Sequence, residues 1–163
     1  MKKGFTMIEL IFVIVILGVL ASVAIPRLAA TRDDAEVAKA ATNLTTAVSD
    51  ITAYYTAKGS FKDSIGAKIN DFTKITNALD KGGKLNVKGK TTCVTVELPN
   101  DAANGSDAVK ITLKFDGNGA SDAVCKTLKT LPGIKSMCGK SGSGDTISNT
   151  CEIQVGGSGG IQF

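Results

Sequence analysis

The sequence predicts an α+β fold in which one long N-terminal α-helix, hydrophobic in its first half, packs its second half against a small antiparallel β-sheet head. Three observations point there. Residues 5–25 form an apolar run with one charge, residues 37–55 carry a stripe at helical spacing, and residues 94–98 and 109–115 alternate apolar and polar side chains. A chain of 163 residues suits one domain plus an appendage.

The apolar run reads FTMIELIFVIVILGVLASVAI from Phe5 to Ile25, with Glu9 as its charge and Thr6, Gly18 and Ser22 as its other interruptions. As a helix it would be about 31 Å long, matching a hydrocarbon core of about 30 Å. Lys2 and Lys3 precede it, so the N-terminal side is expected to stay cytoplasmic and everything from Arg27 onward to lie outside. A secretory signal peptide would have a shorter apolar run and a small-residue cleavage site, whereas Pro26-Arg27-Leu28 comes next here. A plain membrane anchor gives no reason for Glu9, because a carboxylate in lipid is costly.

Lys2-Lys3-Gly4 followed by Phe5-Thr6-Met7-Ile8-Glu9-Leu10 resembles the class III leader of type IV pilins (type IVa-like prepilins) and the related pseudopilins. The resemblance rests on a short basic leader ending in Gly, a Phe directly after it, a Glu at the fifth place of the processed chain, an uninterrupted apolar helix and a Pro near its end. It implies that a prepilin peptidase cuts after Gly4 and that the new first residue, Phe5, is N-methylated. It implies the ladle fold of that family, with residues 1–4 as leader, 5–26 as transmembrane and filament-core helix, 27–58 as the amphipathic half of the same helix and 59–163 as head. The expected partners are further copies of the chain in a helical homopolymer, the inner membrane before assembly, the prepilin peptidase and the pilus assembly machinery. The expected location is a precursor pool in the bacterial inner membrane and then an extracellular filament at the cell surface. Filaments of this kind serve motility, adhesion or DNA uptake. Pseudopilins of type II secretion systems share the leader and the Glu but build a short periplasmic piston. They usually carry a calcium loop and lack disulfides.

Chemistry supplies reasons for these residues. Gly4 lets the backbone enter a tight peptidase site without a side chain. Among packed apolar helices the Glu9 carboxylate needs a cation, and by resemblance that cation is the new N-terminal amine of a neighbouring subunit, so Glu9 would enforce register during assembly. Gly18, Ser22 and Pro26 lie at four-residue spacing, each a weak helix former or a breaker. Small residues there would allow close helix packing. The resemblance favours a loosened helix between Gly18 and Pro26.

Past Pro26, Val37, Ala41, Leu44, Val48, Ile51 and Tyr55 recur at steps of three and four, with Arg32, Asp33, Asp34, Lys39 and Asp50 off the stripe. Lys58-Gly59 predicts the stop, making one rod of about 80 Å from Phe5. Ile69, Phe72, Ile75 and Leu79 predict a short helix ending at Gly82-Gly83. Val94, Val96 and Leu98, then Val109, Ile111, Leu113 and Phe115, predict a hairpin whose loop contains Pro99-Asn100-Asp101 and Asn104-Gly105-Ser106. Ser121-Asp122 predicts a helix cap, with that helix running through Leu131 and stopping at Pro132-Gly133. A last strand fits Cys151 to Val155.

All four cysteines, Cys93, Cys125, Cys138 and Cys151, fall in the part expected outside, where two disulfides are the economical reading. A zinc site would want a close Cys pair or a His, and the chain has neither. The pairing expected is Cys125 with Cys138, closing a loop worth about 3 kcal/mol on the chain-entropy model, and Cys93 with Cys151. Parity opposes the second pair as direct cross-strand neighbours, and connectivity stays open. By resemblance, the Cys125 to Cys151 stretch is the exposed, variable surface of a filament.

Asp116, Asn118 and Asp122 loosely resemble a calcium loop, without the bidentate Glu or the length of an EF-hand, and a turn at that place needs no metal. No cofactor is expected. Asn43-Leu44-Thr45 and Asn104-Gly105-Ser106 fit the N-glycosylation pattern. With no His, no phosphate-binding Gly loop before a helix and no paired carboxylates in a recognisable setting, an enzyme has no anchor. A net charge of +4 without a sustained basic block makes nucleic acid no default partner. Lysines 110, 114, 126, 129, 135 and 140 on the head are what a DNA-uptake pilin would use.

Overall fold

The apolar run and the amphipathic stripe belong to a single helix, α1, over Met7–Lys58. The structure is a computed structural model that describes residues 4–63, 66–99, 108–115, 119–139 and 147–156. α1 begins after Thr6, whose carbonyl accepts the first helical bond from the Leu10 N–H at 3.3 Å. It ends where Gly59 takes a left-handed conformation (φ 70°) and its N–H reaches the Tyr55 carbonyl at 2.7 Å, as Lys58-Gly59 foretold. The loosening expected between Gly18 and Pro26 is not present: α1 is helical through Gly18, Ser22 and Pro26. Pro26 withholds one N–H from the Ser22 carbonyl, and the strong helix formers on both sides carry the helix across that gap.

The chain divides into two compact units, Met1–Ala35 and Glu36–Phe163. The first is the apolar part of α1. In the second, α1 is followed by a 3-10 turn at Phe72–Lys74, then β1 (Lys84–Val87), β2 (Thr91–Glu97), β3 (Val109–Lys114), α2 (Ala123–Thr130), α3 (Pro132–Met137) and β4 (Thr150–Gly156). The strands form one antiparallel sheet in the order β1-β2-β3-β4. Val87 and Thr91 close the first hairpin around Lys88 (φ 50°) and Gly89 (φ 85°), a turn that needs the left-handed region twice.

One hydrophobic core fills the second unit. α1 gives it Val37, Ala40, Leu44, Ala47 and Ile51, the sheet gives Leu85, Val87, Val94, Val96, Ile111 and Leu113, and the short helices give Val124, Leu128 and Ile134. The buried line of α1 thus runs through Ala40 and Ala47, while Ala41, Val48 and Tyr55 of the expected stripe flank it half-buried. Small residues let the sheet come close here. At Gly156 a Cβ would stand 2.1 Å from Cε1 of Tyr55, so only glycine fits beneath that ring.

Three expectations for the head are corrected. The helix over Ile69 to Leu79 is a single 3-10 turn, although Ile69, Phe72 and Leu79 are all buried as the spacing required. Polar side chains there take the backbone bonds a helix would use: Asp71 Oδ1 accepts from the Thr73 N–H at 3.1 Å, and the Thr76 hydroxyl accepts from the Ala78 N–H at 3.1 Å while donating to Asp50 Oδ2 at 2.7 Å. Gly83 then opens β1, an unforeseen strand, and its carbonyl accepts from the Val96 N–H at 2.8 Å. Secondly, Pro132-Gly133 does not stop the helical segment but starts α3, with Pro132 at its first position, where the missing N–H is not needed.

The third correction is the disulfide pairing. The bonds join Cys93 to Cys125, with Cα atoms 5.0 Å apart, and Cys138 to Cys151, at 5.5 Å. β3 lies between β2 and β4, so Cys93 and Cys151 are not cross-strand neighbours. Instead the Gly119 N–H bonds the Thr92 carbonyl at 3.1 Å and leads α2 up to β2, where Cys125 faces inward. The end of α3 then brings Cys138 to β4.

Candidate functional site

Every large apolar side chain from Phe5 to Leu28 in the first unit is solvent-exposed, from 43% at Ile16 to 88% at Phe5. An apolar surface of this extent is the kind that lipid or other chains cover. The helix is long and apolar enough to cross a membrane.

The N-terminal end of that surface is built by two side chains. Thr6 is the N-cap of α1 and Glu9 is its third helical residue. Glu9 Oε2 accepts hydrogen bonds from the Thr6 backbone N–H at 2.8 Å and from the Thr6 hydroxyl at 2.6 Å. In return the Thr6 hydroxyl accepts from the Glu9 N–H at 3.4 Å. This reciprocal pattern is a capping box, and it places the carboxylate at the positive end of the helix macrodipole. Sequence reasoning missed Thr6, although Thr-x-x-Glu ahead of an apolar run is the recognised signature. Gly4 and Phe5 precede the helix in exposed, non-helical chain, and the position of a Cβ on Gly4 is open space. The Gly4–Phe5 peptide bond is therefore accessible to a peptidase.

Gly18 and Pro26 lie further along the same exposed helix, about 12 Å apart along its axis. The structure brings neither of them to Glu9. The four cysteines are all in the second unit, tying α2 to β2 and α3 to β4.

Of the calcium-loop residues, Asp116 and Asn118 lie outside the described residues. Asp122 has other employment as the N-cap of α2: Oδ1 accepts from the Val124 N–H at 2.8 Å and Oδ2 is 3.4 Å from Lys88 Nζ. The Val124 bond, aided by the Lys88 charge, lowers its pKa from the ordinary 3.8. Asp71 is lowered likewise, chiefly by the Thr73 hydroxyl. Among the described residues no three His, Cys, Asp or Glu converge as a metal site. Of the head lysines, Lys110 pairs with Glu152 at 3.2 Å, Lys114 with Glu97 at 2.7 Å, and Lys129 bonds Asn149 at 3.0 Å. Lys140 and the Asn104 glycosylation pattern lie outside the described residues, and Asn43 sits within α1 beside the fully buried Leu44.

An exposed apolar helix capped by its own lone carboxylate, in a chain with an α+β head and two disulfides, defines a class of protein that can be inserted in a membrane through its N-terminal helix. Residues 1–25 match the family described as the prokaryotic N-terminal methylation motif, a motif that marks prepilins of the type IV pilin and pseudopilin kind. The match covers the leader and the apolar run. It points to a structural family and not to an enzyme family, and together with the apolar helix it suits a membrane-anchored precursor. No curated protein and no solved structure matches the chain.

Proposed function

We propose that the chain is the structural subunit of a type IV pilus filament, stored in the inner membrane, cleaved after Gly4 by a prepilin peptidase, N-methylated at Phe5 and polymerised by the pilus assembly machinery. The single observation that carries this reading is the wholly exposed apolar helix bearing one carboxylate at its capped start, within the stretch that matches the methylation motif. In a bundle of such helices the apolar faces cover one another. Glu9 exchanges part of its bonding with Thr6 for the free amine of a neighbouring copy, and only one register allows that. A helix that leaves the bundle can return to lipid, so growth and withdrawal use the same surface.

The two disulfides favour a filament outside the cell over a type II secretion pseudopilin, whose major forms resemble this chain at the N-terminus but lack such bonds. Two of the head lysines face carboxylates across the sheet, which weakens the case for a DNA-uptake surface. The test is to shear cells and take the intact mass of this protein in the released filaments. The expected species begins at methylated Phe5 and gains four protons on reduction. A processed protein that stays with the envelope would favour the pseudopilin, and retention of Met1 to Gly4 on all of it would overturn the leader assignment.

A further inference from the structure

Beyond Glu9, the α1 part of the first unit carries Arg27, Arg32, Asp33 and Asp34, and of these Arg27 and Asp34 are of opposite sign on one line of the helix. Arg27 and Asp34 stand seven residues apart, which places them on the same face and about 10 Å apart along the axis. Both are exposed. Neither has an opposite charge three or four places away on the helix, where the neighbours are Val23, Ala24, Ala30, Thr31, Val37 and Ala38. Among the described residues neither has a side-chain ion pair or hydrogen bond, whereas the adjacent Asp33 is already engaged.

We propose that Arg27 of one copy pairs with Asp34 of the next, a second electrostatic register on α1 that sets the stagger of neighbouring helices; it rests on the filament reading above. The occupant of this face is a second copy of the chain, parallel because every copy keeps its Lys2-Lys3 end on the same side of the membrane, and between parallel helices the two charges meet only when one slides past the other. Helices in line would set Arg27 against Arg27 and Asp34 against Asp34. In the first register Glu9 meets the amine of Phe5, four residues and about 6 Å earlier. In the second, Asp34 meets Arg27, about 10 Å earlier. The acid is the later residue in both pairs, so one slide in one direction serves both. The difference of about 4 Å is within the reach of the Glu and Arg side chains. The two pairs then flank the apolar run at its two ends, and a tilt that satisfies one alone is penalised by the other.

Charge reversal tests the pair. Arg27→Asp and Asp34→Arg are each expected to cut the yield of sheared filaments about tenfold or more, since each sets like charges together, and the double variant to restore it to near normal. Intact mass confirms that every variant is cleaved after Gly4 and so inserted. Normal yield from either single variant, or a double variant no better than the singles, overturns the pair. A second readout does not depend on filaments: a copy with Arg27→Cys is expressed together with a copy with Asp34→Cys, and mixed disulfide dimers are sought in whole envelopes. If the unaltered protein never reaches the sheared fraction, the filament reading fails. The pair then stands on a mixed dimer in the envelope and falls without one. A lipid phosphate holding Arg27 instead would show as single Arg27→Asp defects that Asp34→Arg does not repair, with no mixed dimer.

Discussion

Glu9 closes a ring on Thr6: one carboxylate oxygen takes both the backbone N–H and the hydroxyl of the residue three places earlier. The lone charge of the apolar run therefore caps the helix in the single chain, and on the filament reading it also offers an anion to a neighbouring copy. The two duties can be separated by substitution. Gln at the same position still caps but carries no charge.

Glu9→Gln and Glu9→Ala are both expected to abolish filaments in sheared fractions while leaving cleavage after Gly4 intact. Only Glu9→Ala, and equally Thr6→Ala, is expected to weaken the first turn of α1, by about 1 kcal/mol. Amide hydrogen exchange of the full chain in detergent, read over residues 6–10, would show it. Normal assembly of Glu9→Gln would remove the charge from the account of register.

Gly156→Ala is expected to destabilise the head by about 1–3 kcal/mol, because its methyl would occupy the space of the Tyr55 ring. The measurement is the denaturation midpoint of the full chain in detergent. Tyr55→Ala should absorb most of that penalty, so the two substitutions together should cost less than the sum of each alone.

Non-reducing peptide mapping is expected to find Cys93 linked to Cys125 and Cys138 linked to Cys151. With sequence separations of 32 and 13, replacing either pair by Ser is expected to lower stability by about 3–4 kcal/mol, slightly more for the longer loop. Recovery of a Cys125 to Cys138 peptide would contradict the fold around α2.

Acid sensitivity follows from Asp122 and Asp71, both held below the ordinary carboxyl value of 3.8 by bonds to their ionised forms. Lowered folded-state values mean that the unfolded chain takes up protons first as pH falls. Their contribution is thus complete above about pH 5 and is lost as pH passes through 3.8 and the still lower folded values. Asp122→Asn, which still caps α2, is expected to leave stability at pH 7 nearly unchanged and to flatten the acid limb. Denaturation midpoints at a series of pH values between neutral and about 3 decide it.

Much of this architecture was legible because a single strong pattern governed each part. Continuous apolarity marked the first half of α1, Lys58-Gly59 marked its end, and alternation marked β2 and β3. The parts that were not legible turn on competition between local signals. Ile69, Phe72 and Leu79 have helical spacing, but the Asp71 and Thr76 side chains take the Thr73 and Ala78 N–H groups, so burial is as expected and the secondary structure is not. β1 has four residues and a bulge between Leu85 and Asn86, too short to show a period. The disulfides depend on strand order, which no spacing of cysteines encodes. Thr6 was legible and overlooked, because the eye goes to the charge and not to the hydroxyl three residues before it.

Both disulfides close within the second unit, and none reaches back to the first. Oxidative maturation, the slow covalent step in making such a subunit, is thereby decoupled from the fate of the apolar helix. On the filament reading, a head can be finished, inspected and kept waiting while its helix remains in lipid. What an assembly machine would then draw on is a reservoir of parts already cured, so that its speed is limited by extraction and not by thiol chemistry.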